Sequence, residues 1–167
     1  AALLLAPNRN FATFCCHLAG GVMQAALEAA GLHCWTKFYL VKPNPPPTPR
    51  HTFCSSIEEC LVAGNGKRAW HGNHTTPNHY VHRLGSNKRM HPVEKPRPAI
   101  QLLVFSLSTP GQIVLDPFAG SGTTLHAALL EGRRAIGIEQ EERYCEIAAK
   151  RLTRAQQQPP VPLQSQI

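Results

Sequence analysis

Acid is scarce in this sequence. Ten Asp and Glu stand against 17 Lys and Arg in 167 residues, giving a net charge of +7 and a pI near 9.4. That balance favours a polyanionic partner or an acidic surface over an acidic scaffold. The excess is local: four basic against three acidic residues over 1–63, seven against one over 64–97, and six against six over 98–167. A long apolar run is also missing. Ala1–Ala6 is cut by Pro7-Asn8-Arg9, too short for a membrane span and without a basic leader, so the expectation is a soluble, cytoplasmic protein with no membrane partner. There is no C-x-x-C pair; Cys15, Cys16, Cys34, Cys54, Cys60 and Cys145 fall mostly in apolar segments, which predicts buried free thiols rather than a disulfide framework. No internal repeat is present. The length suits one domain, and a start at Ala1 reads as a cut.

The pattern that is present alternates between strand and helix. Residues 10–16 are β-favouring, residues 20–30 are rich in helix formers up to Gly31, and 35–41 is a second β-like run ending in a proline-rich stretch that must be an extended loop. Ile57 to Ala63 predicts another strand. From Gly64 to Met90 the chain has no apolar period and reads as a loop or insertion. Pro96 and Pro98 open a helix over 99–107, where a missing N–H is tolerated. Then follow a strand at 112–115, a turn, a helix at 123–130, a strand at 135–138 and a helix from Glu141 to Arg154, with a low-complexity tail.

The turn Asp116-Pro117-Phe118-Ala119-Gly120-Ser121-Gly122-Thr123 is the chemical centre of this order. Two glycines one residue apart allow positive φ and close approach to a ligand, and the loop amides are expected to point at whatever sits above the strand end. Glu139 stands at the tip of the next strand, about 20 residues on, where an acid accepts hydrogen bonds from ribose hydroxyls. No Lys follows Gly122, so this is not a P-loop, and Leu125 stands where a dinucleotide fingerprint needs its third glycine. Asp116 would repel a pyrophosphate. A cationic or zwitterionic nucleoside is the better guest, and S-adenosylmethionine meets that description.

The segments His91-Pro92-Val93-Glu94-Lys95-Pro96, Pro110-Gly111 through Thr124, and Gly132-Arg133-Arg134 through Glu139 closely resemble the amino-methylating DNA methyltransferases, which methylate N6 of adenine or N4 of cytosine. Their order, with the glycine loop near the C-terminus, resembles the circularly permuted β group. The resemblance implies an α/β, Rossmann-like, S-adenosylmethionine-dependent methyltransferase fold, circularly permuted and with an incomplete sheet in an N-terminally truncated member. It implies a C-terminal part of the catalytic subdomain at 1–63, a basic DNA-recognition insertion at 64–90 and a cofactor-binding half at 91–154, while composition makes 155–167 an expected disordered tail. By the same resemblance the cofactor site comprises Asp116, Pro117, Phe118, Ala119, Gly120, Ser121, Gly122, Thr123, Glu139 and Lys95. Asp116 takes the amino group, Phe118, Gly120 and Gly122 line the methionine and adenosine sides, and Glu139 takes the ribose. Upstream, Trp35, Lys42, Asn44, Pro45 and Glu58 or Glu59 stand near the family's Trp-x-Lys-x-Asn-Pro strand and its following acid-bearing strand.

One family element is missing. An exocyclic amine conjugated to a base is a poor nucleophile, and the family activates it with Asp, Asn or Ser followed by Pro-Pro and an aromatic ring that stacks on the flipped base. No such tetrapeptide occurs in residues 1–41. Asn44-Pro45-Pro46-Pro47 is the nearest substitute, but Pro47 stands where the ring is required, and a structural loop is the preferred reading. The catalytic strand is therefore expected upstream of Ala1, leaving this fragment inactive alone.

In the basic middle, Lys67, Arg68, Arg83, Lys88 and Arg89 are candidates to contact duplex DNA, with Trp70 or Tyr80 to stack or wedge. His71-x-x-His74 and His79-x-x-His82 have no Cys or carboxylate among them, so no metal is expected. The leading functional reading is a DNA amino-methyltransferase. Methylation of RNA or protein, and a non-catalytic cofactor- or DNA-binding remnant, are the alternatives.

Overall fold

The computed structural model describes residues 4–16, 18–43, 45, 53–82 and 94–157. The chain divides into two compact units, residues 1–86 and 87–167.

The first unit holds β1 (Asn10–Cys15), α1 (Gly20–Ala29), β2 (His33–Val41), β3 (Ile57–Gly64) and β4 (His79–Val81). They form a four-stranded sheet in the order β1-β3-β2-β4, with β3 antiparallel to both β1 and β2, and β4 parallel to β2. β3 is central, and Cys60, Leu61, Val62 and Ala63 are buried in succession. A run of apolar residues without alternation suits a strand covered on both faces. Leu61 and Ala63 join Leu27 and Leu32 in a core cluster, flanked by Phe11, Met23 and Cys34.

That cluster depends on how α1 ends. Gly31 takes φ +80°, its N–H donates to Glu28 O at 2.9 Å, and the Leu32 N–H donates to Leu27 O at 2.9 Å. This is a Schellman closure, which needs a residue free to adopt the left-handed region and drives the next apolar side chain inward. The same closure ends the helix over Thr123–Leu130 in the second unit: Gly132 takes φ +74°, with Gly132 N–H to Leu129 O at 3.0 Å and Arg133 N–H to Ala128 O at 2.8 Å.

The second unit holds α2 (Arg97–Leu107), β5 (Ile113–Asp116), α3 (Thr123–Leu130), β6 (Arg134–Gly137) and α4 (Glu142–Gln156). β5 and β6 are parallel, joined through α3, with Asp116 opposite Gly137. Ala127 and Ala128 are fully buried on α3, and Ala99, Ile100, Leu102 and Val104 are buried on α2. A Cβ at Gly137 would lie 2.5 Å from Leu125 Cδ1 and 3.0 Å from Ala119 Cβ, so any side chain there would have to displace buried Leu125 from its seat against the strand. Along the other period of the strands, Ile113, Leu115, Ile136 and Ile138 remain exposed.

Arg133 and Glu131 are buried together. Arg133 Nε donates to Ser108 Oγ at 3.0 Å and its Nη2 to Ser108 O at 2.6 Å, its Nη1 donates to Glu131 O, and Gln101 Nε2 donates to Glu131 Oε1 at 2.6 Å. Burial pushes the Arg133 pKa down and Glu131 opposes that shift.

Three expectations change. The insertion at 64–90 contains β4, held by Tyr39 N–H to Asn78 O at 2.9 Å and His82 N–H to Val41 O at 2.7 Å. Three polar-flanked residues carry no period of their own, and pairing with β2 creates the strand. The thiols are not uniformly buried: Cys16, Cys54 and Cys145 are exposed and Cys60 alone among the six is fully buried. Apolar neighbours in sequence do not bury a residue at an element's edge. Burial does push the Cys15 and Cys34 thiols up. Finally, α4 begins at Glu142 and continues to Gln156. No helix among the described residues is long and apolar enough to cross a membrane.

Candidate functional site

β5 ends at Asp116, and the chain turns there because the Asp116 side chain replaces the next backbone partner. Its Oδ1 accepts the Phe118 N–H at 3.0 Å, an Asx-type turn across Pro117, which has no N–H to offer. The turn stays pinned to the sheet through Ile138 N–H to Asp116 O and Ala119 N–H to Ile138 O, both 2.9 Å. Gly120 and Gly122 then take φ +50° and +78°.

A Cβ at Gly122 would lie 2.9 Å from Ala148 Cβ, so this glycine seats the start of α3 against α4. Its left-handed conformation makes a second, independent demand for glycine.

Glu139 lies just beyond β6 and folds over the same loop. Its Oε2 accepts the Gly120 N–H at 2.8 Å and its Oε1 accepts the Glu141 N–H at 2.9 Å. With Gly122 N–H donating to Ala119 O at 2.8 Å, the amides of Phe118, Ala119, Gly120 and Gly122 are all committed inside the loop. This corrects the expectation that the loop amides face a ligand: the carboxylates of Asp116 and Glu139 consume two of them and carbonyls take two more. Two carboxylates at the loop would repel a phosphate, whereas a carboxylate, an acceptor only, suits a guest that brings N–H or O–H donors.

Phe118 is 89 % exposed at the tip of the turn. Pro117 is exposed beside it, Asp116, Glu139 and Lys95 are half-buried, and Ala119, Gly120, Ser121, Gly122 and Thr123 are buried. Ser121 and Thr123 turn inward to Arg151, whose Nη1 donates to Thr123 Oγ1 at 2.8 Å and approaches Ser121 Oγ at 3.4 Å. Arg151 Nη2 also pairs with Glu94 Oε1 at 2.6 Å. Neither Arg151 nor Glu94 stands out in the sequence as a site residue. The available signal is weak, since Arg151 lies one helical turn from the Ala148 that meets Gly122. His126, on α3, is held below the usual histidine value by burial and by Arg97 and Arg151.

In the first unit, Lys67 and Arg68 are exposed beyond β3. The Arg68 guanidinium lies 5.8 Å from the Trp35 ring, and Trp35 meets Trp70 edge-on at 6.2 Å. Lys42 Nζ pairs with Glu58 at 2.7 Å, and Lys37 Nζ with Glu59 at 3.0 Å. Asn44, Arg83, Lys88, Arg89 and His91 lie outside the described residues. Among the described residues no group of three or more His, Cys, Asp or Glu could hold a metal ion.

A family model described as DNA methylase, of the N6/N4 kind, matches residues 4–150. Type II methyltransferase M.HinfI from Haemophilus influenzae is 45% identical over 65 residues, 39% of this chain and 18% of the relative. DNA adenine methyltransferase YhdJ from Escherichia coli strain K12 is 45% identical over 62 residues, 37% and 21% respectively. The aligned segments thus span well under two thirds of these relatives' lengths. The solved M1.HpyAVI–SAM complex is similar over 90% of this chain and 78% of that one, with 32% identity and a TM-score of 0.79. The α/β, Rossmann-like class expected from the sequence is the class of the structure.

Proposed function

The chain belongs to the N6/N4 DNA methylase family, and from that membership we propose that it binds S-adenosylmethionine at the 116–123 loop and serves methyl transfer to the exocyclic amine of adenine or cytosine in duplex DNA. One observation carries the cofactor assignment: Phe118, 89 % exposed, stands on a turn whose backbone amides are held by the Asp116 and Glu139 carboxylates. An exposed aromatic on a loop that carries two acids suits a nucleoside bearing positive charge and hydroxyl donors. The residues present therefore fit this cofactor.

Asp116 would accept the amino group, Glu139 the ribose hydroxyls, and Phe118 would cover the bound molecule and exclude water. Pro117, Ala119, Gly120, Ser121, Gly122 and Thr123 would shape the wall, with Lys95 beside it. When bound, S-adenosylmethionine supplies an electrophilic methyl on a sulfonium. This chain's contribution to rate is to hold that methyl in line with the amine and to keep water away. Residues 64–90 would face the DNA, with Lys67 and Arg68 on phosphates, while 1–63 would belong to the catalytic subdomain and 91–154 to the cofactor half. Lacking the Pro-Pro-aromatic tetrapeptide, the 167 residues by themselves would bind without turnover. We place this activity in the cytoplasm, where cofactor and DNA meet.

Isothermal titration of S-adenosylmethionine into the chain tests the assignment. Saturable 1:1 binding, weakened on the order of tenfold or more in Asp116→Ala, is expected, since a charged hydrogen bond is worth about 1.5–3 kcal/mol. No binding by the folded chain would refute it.

A further inference from the structure

We propose that Arg151 is a positioning residue for the cofactor site, holding the glycine loop and the segment carrying Lys95 in a single arrangement. The inference rests on the reading of that loop as the S-adenosylmethionine site. Arg151 comes from the third turn of α4, far in sequence from the loop. Its guanidinium fork gathers groups from two other segments: Nη1 meets Thr123 Oγ1 at 2.8 Å and Ser121 Oγ at 3.4 Å, and Nη2 meets Glu94 Oε1 at 2.6 Å. Thr123 Oγ1 in turn donates to Glu94 Oε1 at 3.0 Å, closing a ring of three side chains. Both charged partners are largely buried, with side-chain exposures of 13% and 15%.

The placement of this ring is what gives it consequence. Ser121 and Thr123 bracket Gly122, which itself presses on Ala148. The loop is therefore fixed to α4 at two points one helical turn apart, by contact at Ala148 and by hydrogen bonds at Arg151. Glu94 immediately precedes Lys95 and Pro96, where α2 begins. One guanidinium thus ties the loop that would receive the cofactor to the start of α2. A planar fork with several donors in fixed directions can do this, and an ammonium cannot. Nothing in Arg151's geometry requires it to touch the cofactor; it acts through Ser121, Thr123 and Glu94.

The test is titration of S-adenosylmethionine into the full chain and its Arg151→Met, Arg151→Lys and Thr123→Val variants, with a thermal melt of each. Arg151→Met is expected to weaken binding on the order of tenfold, Arg151→Lys to recover part of that loss by retaining the charge opposite Glu94, and Thr123→Val to weaken it roughly threefold. Arg133→Lys, which loosens the same unit away from the loop, should lower the melting temperature and leave affinity within about twofold. Wild-type affinity in folded Arg151→Met would overturn the proposal. Should that variant not fold, wild-type affinity in both Arg151→Lys and Thr123→Val would do the same. A wild-type chain that binds no S-adenosylmethionine would instead overturn the cofactor assignment, and this inference with it.

Discussion

Replacing Glu139 with glutamine separates its two duties. In the native chain each carboxylate oxygen already holds one backbone amide, Gly120 at 2.8 Å on one side and Glu141 at 2.9 Å on the other. Glutamine offers one acceptor oxygen, so whichever amide faces its NH2 group meets a donor. Either the loop or the start of α4 must then shift, and the charge that would strengthen bonds to ribose hydroxyls is gone. Loss of one charge-assisted bond is worth about 1.5–3 kcal/mol, which is on the order of 10- to 10²-fold in affinity. Calorimetric titration of S-adenosylmethionine should place Glu139→Gln in that range, with Glu139→Ala at least as weak. A ligand lacking one ribose hydroxyl should lose affinity for the native chain and lose little more for Glu139→Ala, since the partner is already absent. Unchanged affinity in a folded Glu139→Gln, or the same hydroxyl-deletion penalty in native and Glu139→Ala chains, would refute the placement of the ribose.

Other outcomes follow from separate features. Gly122→Ala forces a methyl to 2.9 Å from Ala148 Cβ at φ +78°, so urea denaturation should show a loss of about 2–4 kcal/mol, combining left-handed strain with overpacking. His126 has a folded pKa below its usual value, so the unfolded chain takes up the proton first. Its contribution to stability should fall as pH drops through about 6.5 and level off below the folded value, and His126→Gln should flatten that part of a urea-midpoint series from pH 7.5 to 5.5. Duplex-DNA affinity should fall linearly on a logarithmic salt scale, and a Lys67→Ala, Arg68→Ala double variant should reduce the slope by about 2; a slope unchanged from native would remove these residues from the phosphate contacts.

Much of the second unit was readable in the sequence because its signals are local. An apolar strand stopped by Asp116, glycines at 120 and 122, a helix and a second strand ending near Glu139 each declare themselves within a few residues, and β5, α3 and β6 lie where that pattern predicts. What escaped is what depends on partners distant in the chain. β4 exists because His79–Val81 pairs with Tyr39–Val41, and nothing in three residues announces that. Arg151 resembles any basic residue on an exposed helix until the fold brings it to Thr123 and Glu94, 28 and 57 positions away. The inward turn of the loop amides was hidden for the same reason: a glycine-rich turn is compatible with amides aimed outward, and only the position of Glu139 decides that the Gly120 amide is already taken.

Asp116 is the sole aspartate in a sequence of net charge +7, and it sits at the tip of β5, where many nucleotide sites need positive potential. The amides of 118, 119, 120 and 122 are committed to carboxylates and carbonyls, and the carboxylates of Asp116 and Glu139 would repel an anion at this loop. On the proposed reading this loop is an acceptor site in a basic protein, and its guest would bring the donors and the positive charge. Lys67 and Arg68, proposed to meet DNA, would make the opposite demand, for phosphate. On the proposed reading the charge of Asp116 is more consequential than its size: an Asp116→Asn chain would keep the Phe118 turn through its side-chain oxygen yet lose selectivity for a cationic guest. Comparing its affinity for S-adenosylmethionine with that for the uncharged thioether product isolates the electrostatic part. Native protein should favour the sulfonium more than Asp116→Asn does, and an identical preference in both would show that the acid serves only the turn.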